Sequence, residues 1–182
     1  MAKLVTIKTV KRAKQIEESG VIKACLATIL LPTEELGARG KIQTIPIVYA
    51  MPVSTNYVIS HQWIAEISRC YRHQPVSAVY FELPDEYPVY FGHFAGVKTK
   101  ATAVEACGYF YQKIHSEDIN TLIGFEVLIP CDFLGNIKKV KHHLKRTGWR
   151  LDPRIMVTDA EQYRRAYQTD KEYLDYIKLK YD

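Results

Sequence analysis

The chain is poor in cysteine and has no cysteine pair. Its four thiols, Cys25, Cys70, Cys107 and Cys131, lie far apart, and none falls in a C-x-x-C. That spacing points to neither a zinc site nor a disulfide framework, and it suits a reduced, cytoplasmic setting. Long apolar runs are missing too: none approaches the roughly 20 residues of a membrane helix, so no membrane partner is expected. Met1 to Lys14 is basic but has no apolar centre, unlike a secretory signal. With no internal repeat and no low-complexity linker to divide it, the 182-residue chain reads as one domain over 1–182, with 150–182 a C-terminal helical extension. That length suffices to bury about 70% of the unfolded surface.

What is present in excess is tyrosine, 13 residues, a type that suits strands and also pockets where a ring stacks and a hydroxyl bonds. Charge is unevenly spread. Residues 1–132 carry 13 cations and 13 anions, so the whole net charge of +5 lies after residue 132. There Lys145, Arg146, Trp149 and Arg150 interleave cations with an aromatic, a pattern that fits single-stranded nucleic acid through phosphate contacts and base stacking. A solvated helix face with Trp149 packed inward explains the same residues.

The elements follow from periodicity. Leu4 to Lys8 reads as a first strand. Thr9 caps a helix with Ala13 and Ile16 on its inner face, and Gly20 ends it in the left-handed conformation. Val21 to Leu31 reads as strand, Pro32 to Lys41 as loop, and Ile42 to Met51 as strand, broken by Pro52. Ser54 opens a helix over about 55–70, where Trp63, Ile64, Ile67 and Tyr71 form a core stripe while Tyr57 and His61 mark another. Val76 to Leu83 and Val89 to Phe94 are strands around Pro84-Asp85-Glu86. Gly92-His93 sits there between Tyr90, Phe91 and Phe94, where packing explains it as well as binding. Thr102 and Glu105 form a capping box opening a helix to about Lys113. Ile137 to Leu144 is a further strand, and 158–180 a terminal helix. This order is α+β, without regular βαβ alternation.

The most informative stretch is Thr121-Leu-Ile-Gly-Phe-Glu-Val-Leu-Ile-Pro130. Alternation puts Ile123, Phe125, Val127 and Ile129 on one apolar face and Leu122, Gly124, Glu126 and Leu128 on the other. Glu126 is the single charge of this strand, with Gly124 beside it on the same face. A carboxylate there is either a paired structural charge or a functional one.

Three stretches together resemble the ADP-ribosyltransferase superfamily. Ala13, Ile16 and Gly20 fit the ending of its first helix. Ile47-Val48-Tyr49-Ala50, with the helix from Ser54, fits its second strand and pocket helix. Glu126-Val127-Leu128-Ile129-Pro130, with the strand from Ile137, fits its catalytic strand. The likeness spans about residues 4–144 and is nearest the DNA- and RNA-targeting toxin branch. It implies a split pair of small antiparallel sheets with flanking helices, NAD consumed as substrate without metal, and ADP-ribosyl transfer to a macromolecule, nucleic acid above all. It implies Glu126 as the catalytic carboxylate, with His61 a second candidate, and Thr6, Lys8, Arg39, Tyr49 and Tyr57 around NAD. The strand from Ile137 is expected beside that of Glu126, bringing the basic stretch toward the cleft mouth. The family usually has His where this chain has Thr6, 14 residues before Gly20. That departure keeps in view a non-catalytic nucleic-acid-binding module on the same fold; the other alternative is NAD-dependent RNA 2′-phosphotransfer, a related branch whose histidine and arginine cluster is not found near these motifs.

Overall fold

The computed structural model describes residues 1–32, 40–54, 59–60, 63–64, 67, 70–72, 74–94, 96–114, 122 and 124–144. Strand β1 (Ala2–Thr9) passes directly into helix α1 (Val10–Ser19). The hydroxyl of Thr9 accepts from the Arg12 N–H at 3.4 Å, and Gly20, at φ 69°, donates its N–H to the Ile16 carbonyl. Helix α1 therefore begins and ends where its cap residues stand, and it buries Ala13 and Ile16.

After α1 come β2 (Ile22–Lys23), β3 (Cys25–Leu31) and the long β4 (Lys41–Pro52). The expected single strand from Val21 to Leu31 is two strands, because the Ala24 N–H turns away to the Asp132 carbonyl. Next are β5 (Val76–Leu83), β6 (Pro88–His93), β7 (Thr99–Thr102), helix α2 (Ala103–Ile114), β8 (Phe125–Pro130), β9 (Phe133–Leu134) and β10 (Ile137–Lys141). The capping box forms: the Glu105 carboxylate accepts from the Thr102 N–H at 2.8 Å, and the Thr102 hydroxyl accepts from the Glu105 N–H.

The chain is thus α+β, and its strand pairings are antiparallel. One sheet runs β10-β5-β1-β4-β8-β6-β7, with β3 also on β4, and β2 with β9 makes a second, two-stranded sheet. The larger sheet has two antiparallel halves, β10-β5-β1 and β3-β4-β8-β6-β7, that meet where β1 runs beside the end of β4. Strand β4 is 12 residues long, so it pairs with β3 over its first half, with β8 at Ile47 to Ala50, and with β1 at Met51 and Pro52. Among the described residues, those last two pairs are the strand pairs that join the β10-β5-β1 half to the rest, and the Val53 N–H donates to the Lys3 carbonyl beside them.

The strand from Ile137 does not lie where the resemblance puts it. Strand β10 pairs with β5 and not with β8, which places four inter-strand spacings, about 19 Å, between β10 and β8. Strand pairing therefore does not set β10 beside the strand of Glu126. Residues 145–182, with Lys145, Arg146, Trp149, Arg150 and the helix expected over 158–180, lie outside the described residues.

The main core lies on the face carrying both helices. Phe125, Val127 and Ile129 point into it from β8. The Phe125 ring sits 5.5 Å from Phe110 and 5.9 Å from Tyr109 of α2. Ile59 and Trp63 join the same core, and the Trp63 indole donates to the Phe125 carbonyl at 2.7 Å. A smaller cluster, Ile29, Leu31, Ile47 and Leu128, covers the opposite face, where the β3–β4 hairpin folds over β8.

The four cysteines test this packing. Cys25 and Cys70 are exposed, Cys131 is half-buried, and Cys107 is buried in α2, its thiol pushed up to about 11 by loss of solvent. Since the thiolate is the reacting form, two thiols should label rapidly with maleimide at neutral pH and Cys131 more slowly. Cys107 should label only on unfolding. Mass spectrometry of labelled peptides checks this; fast labelling at Cys107 in the native protein would contradict the placement of α2.

Candidate functional site around Glu126

Strand β8 is central, with β4 on one side and β6 on the other. Its side chains alternate, so Glu126 and Leu128 project from the face opposite the helices. Tyr49 of β4 and Tyr90 of β6 both stand opposite Leu128. Each is therefore a diagonal neighbour of Glu126, and both are half-buried against the smaller cluster. Glu126 itself stands opposite Gly92.

Gly92 decides what happens next. A side chain there would meet the Val97 carbonyl at 3.3 Å and the Lys98 stem at 3.4 Å. The stem of Lys98 takes the room that glycine leaves, and its ammonium reaches Glu126 Oε1 at 2.7 Å, with both side chains only 2% exposed. Lys98 Nζ also donates to the carbonyls of His93 and, at 3.3 Å, Phe94. The Lys98 N–H is tied to the Leu30 carbonyl at 2.8 Å, which seats the end of β3 over this corner.

The other carboxylate oxygen, Glu126 Oε2, is buried and has no hydrogen-bond partner among the described residues. A buried acceptor left without a donor costs free energy that a donor would recover, on the order of 1–3 kcal/mol. Burial pushes the Glu126 carboxyl above the ordinary range, while Lys98, through its hydrogen bond and its charge, and to a lesser degree His93 pull it back. Burial also raises the Tyr49 phenol, and the negative charge of Glu126 acts in the same direction. Glu126 and Tyr49 are thus electrostatically linked as well as adjacent.

Gly124 plays another part than expected. It precedes β8 at φ 71°, a conformation that favours glycine, and a side chain there would press on the Phe94 ring at 3.3 Å. It turns the chain into the strand, and the room beside Glu126 comes from Gly92.

Thr6 and Lys8 are not brought to this site. Val5 stands opposite Met51, so alternation puts Val5 with Tyr49 and sends Thr6 and Lys8 to the other face. Lys8 stands opposite Ser77, whose hydroxyl meets His142, and His142 pairs with Glu17 of α1. Thr6 is 1% exposed. Burial pulls the Lys8 ammonium below its ordinary value, opposed by the thiol of Cys25 and assisted by Arg12. Arg39, Tyr57 and His61 lie outside the described residues. Among the described residues no group of His, Cys, Asp or Glu could hold a metal ion.

Sequence reasoning missed Lys98 and Tyr90. The available signal for Lys98 is Gly92, because a glycine inside a strand marks a place where another group comes close. Set against known proteins, the chain matches no family model, no curated protein and no solved structure.

Proposed function

We propose that the Glu126 site binds NAD and transfers its ADP-ribosyl group to a macromolecular acceptor. The observation carrying this reading is Glu126 Oε2, a buried carboxylate oxygen without a donor, on a face shared with two half-buried tyrosines. Breaking the nicotinamide–ribose bond develops positive charge on the sugar, as in glycoside hydrolysis. A fixed carboxylate stabilises that charge and accepts a ribose hydroxyl, while Tyr49 and Tyr90 offer rings for the nicotinamide. The resemblance of Glu126-Val127-Leu128-Ile129-Pro130 to the catalytic strand of ADP-ribosyltransferases supports the same chemistry.

Nucleic acid is the acceptor class we favour. Lys138, Lys139 and Lys141 are exposed on β10, the edge strand leading into the basic segment. The contrasting reading is a nucleic-acid-binding module in which Glu126 and Lys98 are only a structural pair, and the burial of both favours it.

A ligand that binds the folded state alone raises its melting temperature. Millimolar NAD should therefore stabilise the protein, and Tyr49→Ala should diminish the shift. No shift at any NAD concentration, together with retained binding of DNA or RNA oligonucleotides, decides for the binding module.

A further inference from the structure

Three observations converge on Lys98. Its stem occupies the place that Gly92 leaves opposite Glu126. Its ammonium has three protons and three acceptors: Glu126 Oε1, the His93 carbonyl and the Phe94 carbonyl. Its backbone N–H is held by Leu30. A lysine tied at both ends in this way is not free to slide between the two carboxylate oxygens. We propose that Lys98 is the positioning residue of this site, fixing Glu126 through Oε1 so that Oε2 alone receives a hydroxyl of the ligand. The inference rests on the NAD reading of the Glu126 site and assigns to that reading a residue which no motif suggests.

The arrangement has a chemical consequence. A carboxylate in so dry a place tends to take up a proton, and a protonated Glu126 offers neither the charge nor the acceptor that the sugar requires. Lys98 keeps the carboxylate ionised and its orientation single. Substitution of Lys98 should therefore impair the chemical step much more than the binding of NAD.

The test uses the full chain with Lys98→Met, and Lys98→Gln as a second variant that keeps a donor for the His93 and Phe94 carbonyls. Nicotinamide release is followed against NAD concentration and pH. In parallel, the Glu126 carboxyl is titrated by carbon-13 NMR without NAD, its resonance assigned by difference with Glu126→Gln. The expected result is kcat lower by at least about 30-fold with KM for NAD within about threefold. The acid limb of the rate profile and the Glu126 titration should both move to higher pH. An active parent whose Lys98 variants keep its kcat and acid limb overturns the role of Lys98. So does equal damage to kcat and KM with an unmoved carboxyl titration, which marks a merely structural lysine. An inactive parent that binds no NAD overturns the reading beneath it, and the NMR titration then still decides whether Lys98 holds the charge of Glu126.

Discussion

Glu126→Gln is expected to lower nicotinamide release from NAD by at least ~100-fold while the chain stays folded. Glutamine has the same shape, and its amide oxygen can still accept from Lys98. What it lacks is the negative charge facing the sugar as the glycosidic bond stretches. The parent protein should show the complementary pH effect. Its rate should fall with acidification as Glu126 takes up a proton, and the fall should begin above the ordinary carboxylate range, because burial raises this group. Turnover by Glu126→Gln at the parent rate would remove Glu126 from the mechanism, whatever its melting temperature.

Lys98→Met should cost roughly 3–5 kcal/mol of stability at neutral pH, because removing one partner of a buried ion pair strands the other charge. The sign of its pH dependence follows from the carboxylate left behind. Without Lys98 the folded-state pKa of Glu126 lies further above its unfolded value, so the folded state holds the proton more tightly. The deficit is then absent below the unfolded pKa and grows as pH rises through the folded one. Acidification should narrow the gap between variant and parent. Adding Glu126→Leu to Lys98→Met should recover most of the loss, since two apolar chains of similar volume can replace a buried pair at little cost. Urea unfolding of the parent, both single variants and the double variant measures the coupling. A neutral-pH deficit below about 1 kcal/mol for Lys98→Met, or no recovery in the double variant, would show that the pair is not the electrostatic centre of this face.

Local chemistry was legible wherever neighbours in sequence are neighbours in space. Thr9 and Gly20 delimit α1, and Thr102 with Glu105 opens α2, because capping bonds span only a few residues. The inward face of β8 follows from alternation alone. Pairing was less legible. Nothing in Ile137 to Lys141 says whether its partner is β5 or β8, and the choice of β5 puts β10 four strands from β8. Register matters for Thr6 as well: resemblance puts it around NAD, and the match of Val5 to Met51 sends it to the face opposite that of Tyr49. Lys98 was hidden for a related reason. It is 28 residues from Glu126, and they meet because β6 sets Gly92 opposite Glu126.

The central claim is that NAD binds at Glu126 and presents a ribose hydroxyl to Oε2. A crystal structure of the protein with a non-hydrolysable NAD analogue tests it most directly. The account predicts the nicotinamide end on the Glu126 face of β8, its ring against Tyr49 or Tyr90. It also predicts a ribose hydroxyl within hydrogen-bond distance of Oε2, with Lys98 still on Oε1. An analogue bound elsewhere, or a saturated crystal in which Oε2 still has no ligand donor, would contradict it.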